Sequence, residues 1–314
     1  MLKKSALRRI TVSTLALIIV GVLYFFPNND EKISFRQSVE YVSANETPIY
    51  LLNSDLYVIR TNIATQNSDT IQLVKELLEA LTIDSNKKEY ISEHFKQIIP
   101  KNTKVLDVSL ENGLLKINFS KDILTISKDL EEKMIEAIVY TLTEIKEIQQ
   151  IMIFVEGNKL DTLPQTNINL PNTLDRGYGI NKVYDITSFR DLTKTTIYYI
   201  GKFEDLIYYV PVTKVSNQQE ENKIEIIIDE LKSSPIYETN LMSYLASSVE
   251  LESYEELENQ ITLSFNNAIF DDFDEKNILE EVKYSISLSL QDTLNIEEVI
   301  FKVDDEIIET FKEE

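Results

Sequence analysis

The chain of 314 residues has no cysteine and a single histidine. Without a thiol it forms no disulfide, holds no thiolate-bound metal, runs no thiol chemistry and carries no lipid on cysteine. The missing cysteine leaves the redox compartment open. The lone His94 cannot build a zinc site from histidine partners, and no nucleophile or orienting acid stands at a recognisable spacing from it. Basic residues are also scarce: 31 Lys and Arg face 53 Asp and Glu, a formal charge of -22. Such a surface repels phosphate backbones, which argues against nucleic-acid binding, and it is held off anionic lipid unless cations screen it.

What is present begins with a segment unlike the rest. Lys3, Lys4, Arg8 and Arg9 precede Ile10–Phe26, seventeen residues without a charge. As a helix this run spans about 25 Å, near the lower limit for a bilayer. Bases before it and Asp30 and Glu31 after it predict a cytoplasmic N-terminus and an extracytoplasmic bulk. The run ends Leu23-Tyr24-Phe25-Phe26, bulky where signal-peptide cleavage wants small residues. An uncleaved anchor is therefore expected, with residues 1–9 as a cytoplasmic leader, 10–26 as the transmembrane helix and 27–46 as a polar tether.

Beyond the tether the chain repeats itself. Pro48-Ile49-Tyr50-Leu51-Leu52 matches Thr196-Ile197-Tyr198-Tyr199-Ile200 at a shift of 148. The stripe Leu130, Met134, Ile138, Leu142 matches Ile278, Val282, Ile286, Leu290 at the same shift. Leu115, Ile117 and Phe119 find Ile261, Leu263 and Phe265 at 146, and Val74, Leu77, Leu78 and Leu81 find Ile224, Ile227, Ile228 and Leu231 at 150. A shift that wanders by two and returns is the mark of small loop insertions in a duplicated unit.

Each unit reads as a hairpin followed by α-β-β-α-β. In the first, the strands 49–52 and 56–63 precede a helix at 69–81 capped by Asp69, strands 104–110 and 114–120 joined by Asn112-Gly113, a helix at 129–147 and a strand at 151–155. In the second, the strands 196–200 and 206–215 precede a helix at 219–231, strands 248–251 and 260–266 with a longer acidic connection between them, a helix at 275–293 and a strand at 299–303. The expected class is α+β: two tandem repeats, each a small mixed sheet with two helices on one face. The domains fall at 47–163 and 195–314, with 164–194 as linker.

Several of these residues carry a resemblance. Ile99-Pro100-Lys101-Asn102-Thr103-Lys104-Val105, Leu115-Lys116-Ile117-Asn118-Phe119-Ser120 and the terminal Val155-Glu156-Gly157 resemble the GerMN domain of sporulation and spore-germination proteins. Tyr178-Gly179-Ile180-Asn181-Lys182 and Tyr209-Val210-Pro211-Val212-Thr213 resemble the segment that joins two such domains in GerM-like proteins. The resemblance implies an anchored protein outside the membrane of an endospore-forming bacterium, with a core like the ring-building motif of secretion and sporulation channels. It implies other envelope or sporulation-channel proteins as partners, a homo-oligomer among the forms open to it, and a role in assembling or stabilising a channel. The chain departs from the family in lacking a cysteine to lipidate, and in ending its second unit Val303-Asp304-Asp305, without glycine.

No chemistry stands out. Asp271-Asp272-Phe273-Asp274-Glu275 lacks the spacing and glycine of an EF-hand, and a helix N-terminus accounts for its acids. Arg176-Gly177-Tyr178-Gly179 is not a phosphate loop. Tyr198-Tyr199 and Tyr208-Tyr209 would each place one ring in the core and one outside, where exposed tyrosine suits an interface, although ordinary strand composition gives the same pattern. No catalytic, cofactor-binding or metal-binding residue is assigned, and no cofactor. The favoured function is non-enzymatic assembly; a cell-envelope ligand-binding protein or peptidoglycan-acting enzyme is the alternative. Protease added to intact protoplasts should remove the bulk of the chain, and mass spectrometry should find the N-terminus intact; full protection, or a mature start near Asn28, would refute the anchor.

Overall fold

Tyrosine and β-branched residues suit half-buried strands, and the first of them pair as expected. β1 (Asn45–Leu52) and β2 (Val58–Thr65) run antiparallel with Tyr50 opposite Arg60. In α1 (Thr70–Leu81) the Asp69 carboxylate accepts from the Gln72 N–H at 3.0 Å. β3 (Val105–Glu111) and β4 (Leu114–Phe119) come next as a hairpin. Its turn residues Asn112 and Gly113 have φ of 50° and 78°, the positive values a two-residue turn needs to match the strand twist. α2 (Lys128–Leu142) crosses to β5 (Gln150–Val155), parallel to β4, and β6 (Asn158–Lys159) turns back along it. The computed structural model describes residues 45–312, apart from 189, 205, 218–222, 234–238, 273 and 275.

After β7 (Val183–Asp185) the plan recurs. β8 (Thr193–Phe203) and β9 (Leu206–Ser216) form the hairpin, then come α3 (Lys223–Ser233), β10 (Leu251–Leu257) and β11 (Gln260–Phe265). A small hairpin of β12 (Phe270–Asp272) and β13 (Asn277–Ile278) precedes α4 (Glu280–Leu294), β14 (Glu298–Val303) and β15 (Glu306–Lys312). The repeat extends to the register. β4 pairs with β5 from Leu114–Gln150 to Phe119–Val155, and β11 with β14 from Gln260–Glu298 to Phe265–Val303. The Gly113 carbonyl accepts from the N–H groups of Gln149 and Gln150, and the Asn259 carbonyl from those of Glu297 and Glu298. Ile138 and Ile286 are fully buried at matching places on α2 and α4.

The layers explain the burial. A parallel β-α-β crossover lays its helix on the sheet. The other side of α2 packs on β1 and β2, and that of α4 on β8. α2 is accordingly buried around its whole circumference from Met134 to Leu142. Each helix pair thus has a mixed sheet below and a hairpin above. The hairpins merge: β9 pairs with β8 along one edge, and along the other meets β2 at Arg60–Tyr209 and β7 in parallel from Val183–Lys214. The segment expected as a linker is packed into this body, with Leu174 and Ile180 buried.

Some expectations give way. The acidic stretch before Gln260 is not a connection but the strand β10, closing on β11 through a two-residue turn at Glu258-Asn259. An edge strand facing water on both sides needs no apolar alternation, so its glutamates concealed it. The second long helix begins at Glu280 and not at 275, because buried Phe270 and Ile278 pair and turn Asp271, Asp272 and Asp274 outward. α2 ends at Leu142, short of the expected 147. The span 10–26 and residues 27–44 of the tether lie outside the described residues; among the described residues no helix is long and apolar enough to cross a membrane.

The final turn of each unit differs in sequence and agrees in shape. Glu156 and Gly157 have φ of 48° and 80°; Asp304 and Asp305 have 50° and 62°. An L-residue is strained in this region and glycine is not. Asp305→Gly should therefore raise stability by about 0.5–1 kcal/mol, measured as a higher denaturant midpoint at unchanged slope; no shift would mean the turn is unstrained.

Candidate functional site

The duplication brings equivalent residues face to face. Tyr50 and Tyr198, 148 apart, share a hydrogen bond between their hydroxyls at 2.9 Å. Each is fixed in the same way, by its backbone N–H donating to a helix hydroxyl: Tyr50 to Thr141 of α2 at 3.0 Å, Tyr198 to Ser289 of α4 at 2.8 Å. Three residues further along the chain stand Glu144, just past the end of α2, and Asp292, in α4, again 148 apart. Both side chains are largely enclosed at the seam, 12% and 2% exposed.

Two buried carboxylates facing one seam need a cation. Arg176, from the connecting segment, supplies it, donating to Glu144 at 2.6 Å and to Asp292 at 2.9 Å. Its guanidinium lies 5.0 Å from the Tyr140 ring centre, and the Tyr140 hydroxyl donates to the Arg176 carbonyl. Glu144 also accepts from the Tyr50 hydroxyl at 2.7 Å and lies 3.6 Å from Arg60. Burial alone would raise its pKa; the two arginines and the tyrosine overcome that and lower it to about 2. Asp292 moves the other way: burial raises its pKa, and Arg176 offsets this only in part.

A second latch lies beside the first. The Asn181 side chain accepts from the Val58 N–H of β2 and donates to the carbonyls of Val58 and of Pro211 in β9, at 2.7–2.9 Å. It stitches the strands together where their own ladder is reduced to a single pair. Lys182 reaches Glu132 and Glu136 of α2, each at 2.9 Å, and lies over the Tyr178 ring. Gly179, at φ 84°, is the hinge of this turn; a Cβ there would stand 3.1 Å from the Thr213 side chain. The residues 178–182, singled out by resemblance, are thus structural.

The other candidates are scattered. His94 is half-buried, with its ring 4.3 Å from that of Phe203. Phe203 also lines a shallow cleft of about 390 Å³ with Asn53, Asp55, Lys202, Tyr208 and Asn240. Asp271 and Asp272 are exposed on β12, not at a helix N-terminus, and no acidic or histidine group able to hold a metal occurs among the described residues. The expected exposed tyrosine fails: Tyr198 and Tyr199 are both 1% exposed. Alternation does send them to opposite faces, but both faces are covered, Tyr199 bonding Glu230 of α3. Tyr208 packs edge-on against Phe95 and Tyr209 stacks on Tyr284 of α4. Reading the sequence missed Glu144, Asp292 and Arg60. The signal was there: both copies keep an acid at the matched position three residues after a matched hydroxyl.

Comparison with known proteins agrees with the repeat. A family described as Germane, sporulation and spore germination, matches residues 22–161 and 196–309. The chain is 30% identical over 261 residues to the spore germination protein GerM of Bacillus subtilis (strain 168), covering 81% of this chain and 70% of that one. Its structure is similar to that of the tandem GerMN domains of the sporulation protein GerM from Bacillus subtilis, with a TM-score of 0.76, 27% identity, and 84% of this chain and 92% of that chain covered.

Removing Arg176 leaves two carboxylates without their shared cation. Arg176→Met should cost about 3–5 kcal/mol at neutral pH. Glu144→Gln isolates the pH dependence. The Glu144 pKa is lowered in the fold, so its contribution is complete above the unfolded value and is lost as pH falls through the folded one. The stability gap between wild type and Glu144→Gln should close between about pH 4.5 and pH 2. A gap constant with pH, read from denaturant unfolding, would refute the clamp.

Proposed function

Because the chain belongs to the Germane family of sporulation and spore germination proteins, we propose that it is a non-enzymatic assembly protein, anchored by residues 10–26 outside the cell membrane. There it helps to build or stabilise an envelope-spanning channel complex, with other envelope proteins as partners. One observation carries this reading: among the described residues, a cluster of enclosed ionisable groups joins the two repeats to each other, its charges taken up by one another. Groups so engaged serve rigidity and relative placement, which a module presented to partners needs. The tandem β-α-β units, each with an edge strand at the sheet margin, supply surfaces of the kind that strand-adding assemblies use.

A second reading has its own observation. His94 backs, through Phe203, onto the cleft lined by Asp55, Lys202 and Asn240, and a cell-envelope enzyme or ligand-binding protein would work there. The full chain, tagged and recovered from sporulating cells, separates the two. Wild type and His94→Ala should capture the same envelope proteins and support sporulation equally. Ile138→Asp should abolish both, since an unpaired buried charge costs several kcal/mol. Loss of sporulation in His94→Ala with partner capture intact would replace the assembly reading by the enzymatic one.

A further inference from the structure

The two repeats differ at their first edge strand. In the first, the helix-facing residues of β3 are Val108 and Leu110, opposite Ile117 and Leu115, and both pack against the core beneath α1. In the second, the matching positions on β10 are Tyr254 and Glu256, opposite Leu263 and Ile261. Here the covering is lost. β10 is exposed from Glu252 to Leu257, with Tyr254 37% and Leu257 52% accessible.

Among the described residues its outer backbone is open as well. A two-residue turn makes Leu257 and Gln260 a hydrogen-bonded pair, so alternation aims the N–H and C=O groups of Tyr254 and Glu256 away from β11. No described group bonds to them. The strand carries a single sign of charge. Glu252, Glu255 and Glu256 lie in it and Glu250 and Glu258 flank it, Glu225 of α3 stands beside Tyr254, and no Lys or Arg occurs between Lys232 and Lys276. Among the described residues none of these five glutamates pairs with a base, whereas on the opposite edge of the same sheet Lys276 holds Glu306 and Lys283 holds Glu309.

An open strand edge offers backbone partners to a further strand, and its side chains select which one. We infer that β10 is a docking edge for an extended basic segment of a partner protein, one with Lys or Arg at alternating positions, added as a fifth strand to the β10-β11-β14-β15 sheet. This inference rests on the assembly reading and names the surface and partner chemistry it would use. A second copy of the chain does not fit, because at a net charge of -22 it presents like charge to this edge.

The test uses the full chain and a blocked, fluorescein-labelled peptide alternating Lys with Val and Thr, followed by anisotropy. Two variants separate charge from strand addition. Replacing Glu252, Glu255, Glu256 and Glu258 by Gln keeps the shape and removes charge; binding should weaken roughly tenfold, the summed effect of four exposed ion pairs. Tyr254→Pro keeps every charge and removes an outward N–H at a place where an edge strand tolerates proline; binding should weaken here too, with circular dichroism unchanged. A peptide with Glu in place of Lys should not bind. Equal binding by Tyr254→Pro would mean charge alone holds the peptide, and equal binding by the glutamine variant would mean charge plays no part; either overturns the inference. So does self-association of the glutamine variant without peptide binding by wild type, which would make the glutamates a guard against edge pairing. If captured partners are unchanged by both variants, the edge fails while assembly stands; if the wild type captures none, assembly itself fails.

Discussion

Two copies of one acid, brought to the same seam by duplication, repel each other, and that repulsion is the constraint around which the described body is arranged. Arg60, the cation that the first copy itself supplies, lies against Glu144, 3.6 Å away. Arg176 comes from the segment that occurs once, between the copies, and can therefore satisfy both carboxylates at a single point. The segment's path is fixed in turn by what Arg176 and Asn181 must reach, which accounts for a connection packed along the seam with buried Leu174 and Ile180.

Elements that rest on periodicity were legible in the sequence. The stripe of Met134, Ile138 and Leu142 and its copy at Val282, Ile286 and Leu290 fix both crossover helices, because a helix under a sheet must be apolar on that face. Asn112-Gly113 announces its turn through backbone preference alone. β10 was hidden for the opposite reason: it buries almost nothing, so its residues carry no pattern, and only its neighbour's register reveals it as a strand. The boundary of α4 was misjudged because acids before a helix usually mean its first turn, while here Phe270 and Ile278 set up a separate pairing.

The seam was marked by the repeat alone, in the matched acids, and by nothing local. An acid after the last apolar position of a helix ordinarily faces water, and nothing local marks Glu144 or Asp292 as buried. The residues that enclose them are distant in sequence: Tyr50, Arg60 and Arg176 around Glu144, and Arg176 against Asp292. The same holds for Tyr198 and Tyr199, whose alternation was right and whose exposure was not, since each face of β8 is covered by an element from a different part of the chain. Propensity describes a residue's own strand; burial at a shared sheet is a property of the pair of repeats.

The two phenols at the seam have a direction. Each hydroxyl owns one hydrogen, and that of Tyr50 goes to Glu144. The hydrogen between the rings must then belong to Tyr198, so the chain of donors runs one way, from the second copy into the first. This breaks a symmetry that the covalent structure nearly preserves. Glu144 gathers a phenol and two guanidinium groups and becomes the stronger acid; Asp292, at the equivalent place, gathers one guanidinium and becomes the weaker. As pH falls the seam takes up its first proton on the C-terminal copy, so that two halves descended from one unit are electrically distinguishable, through the second guanidinium and the phenol that only the first copy gathers.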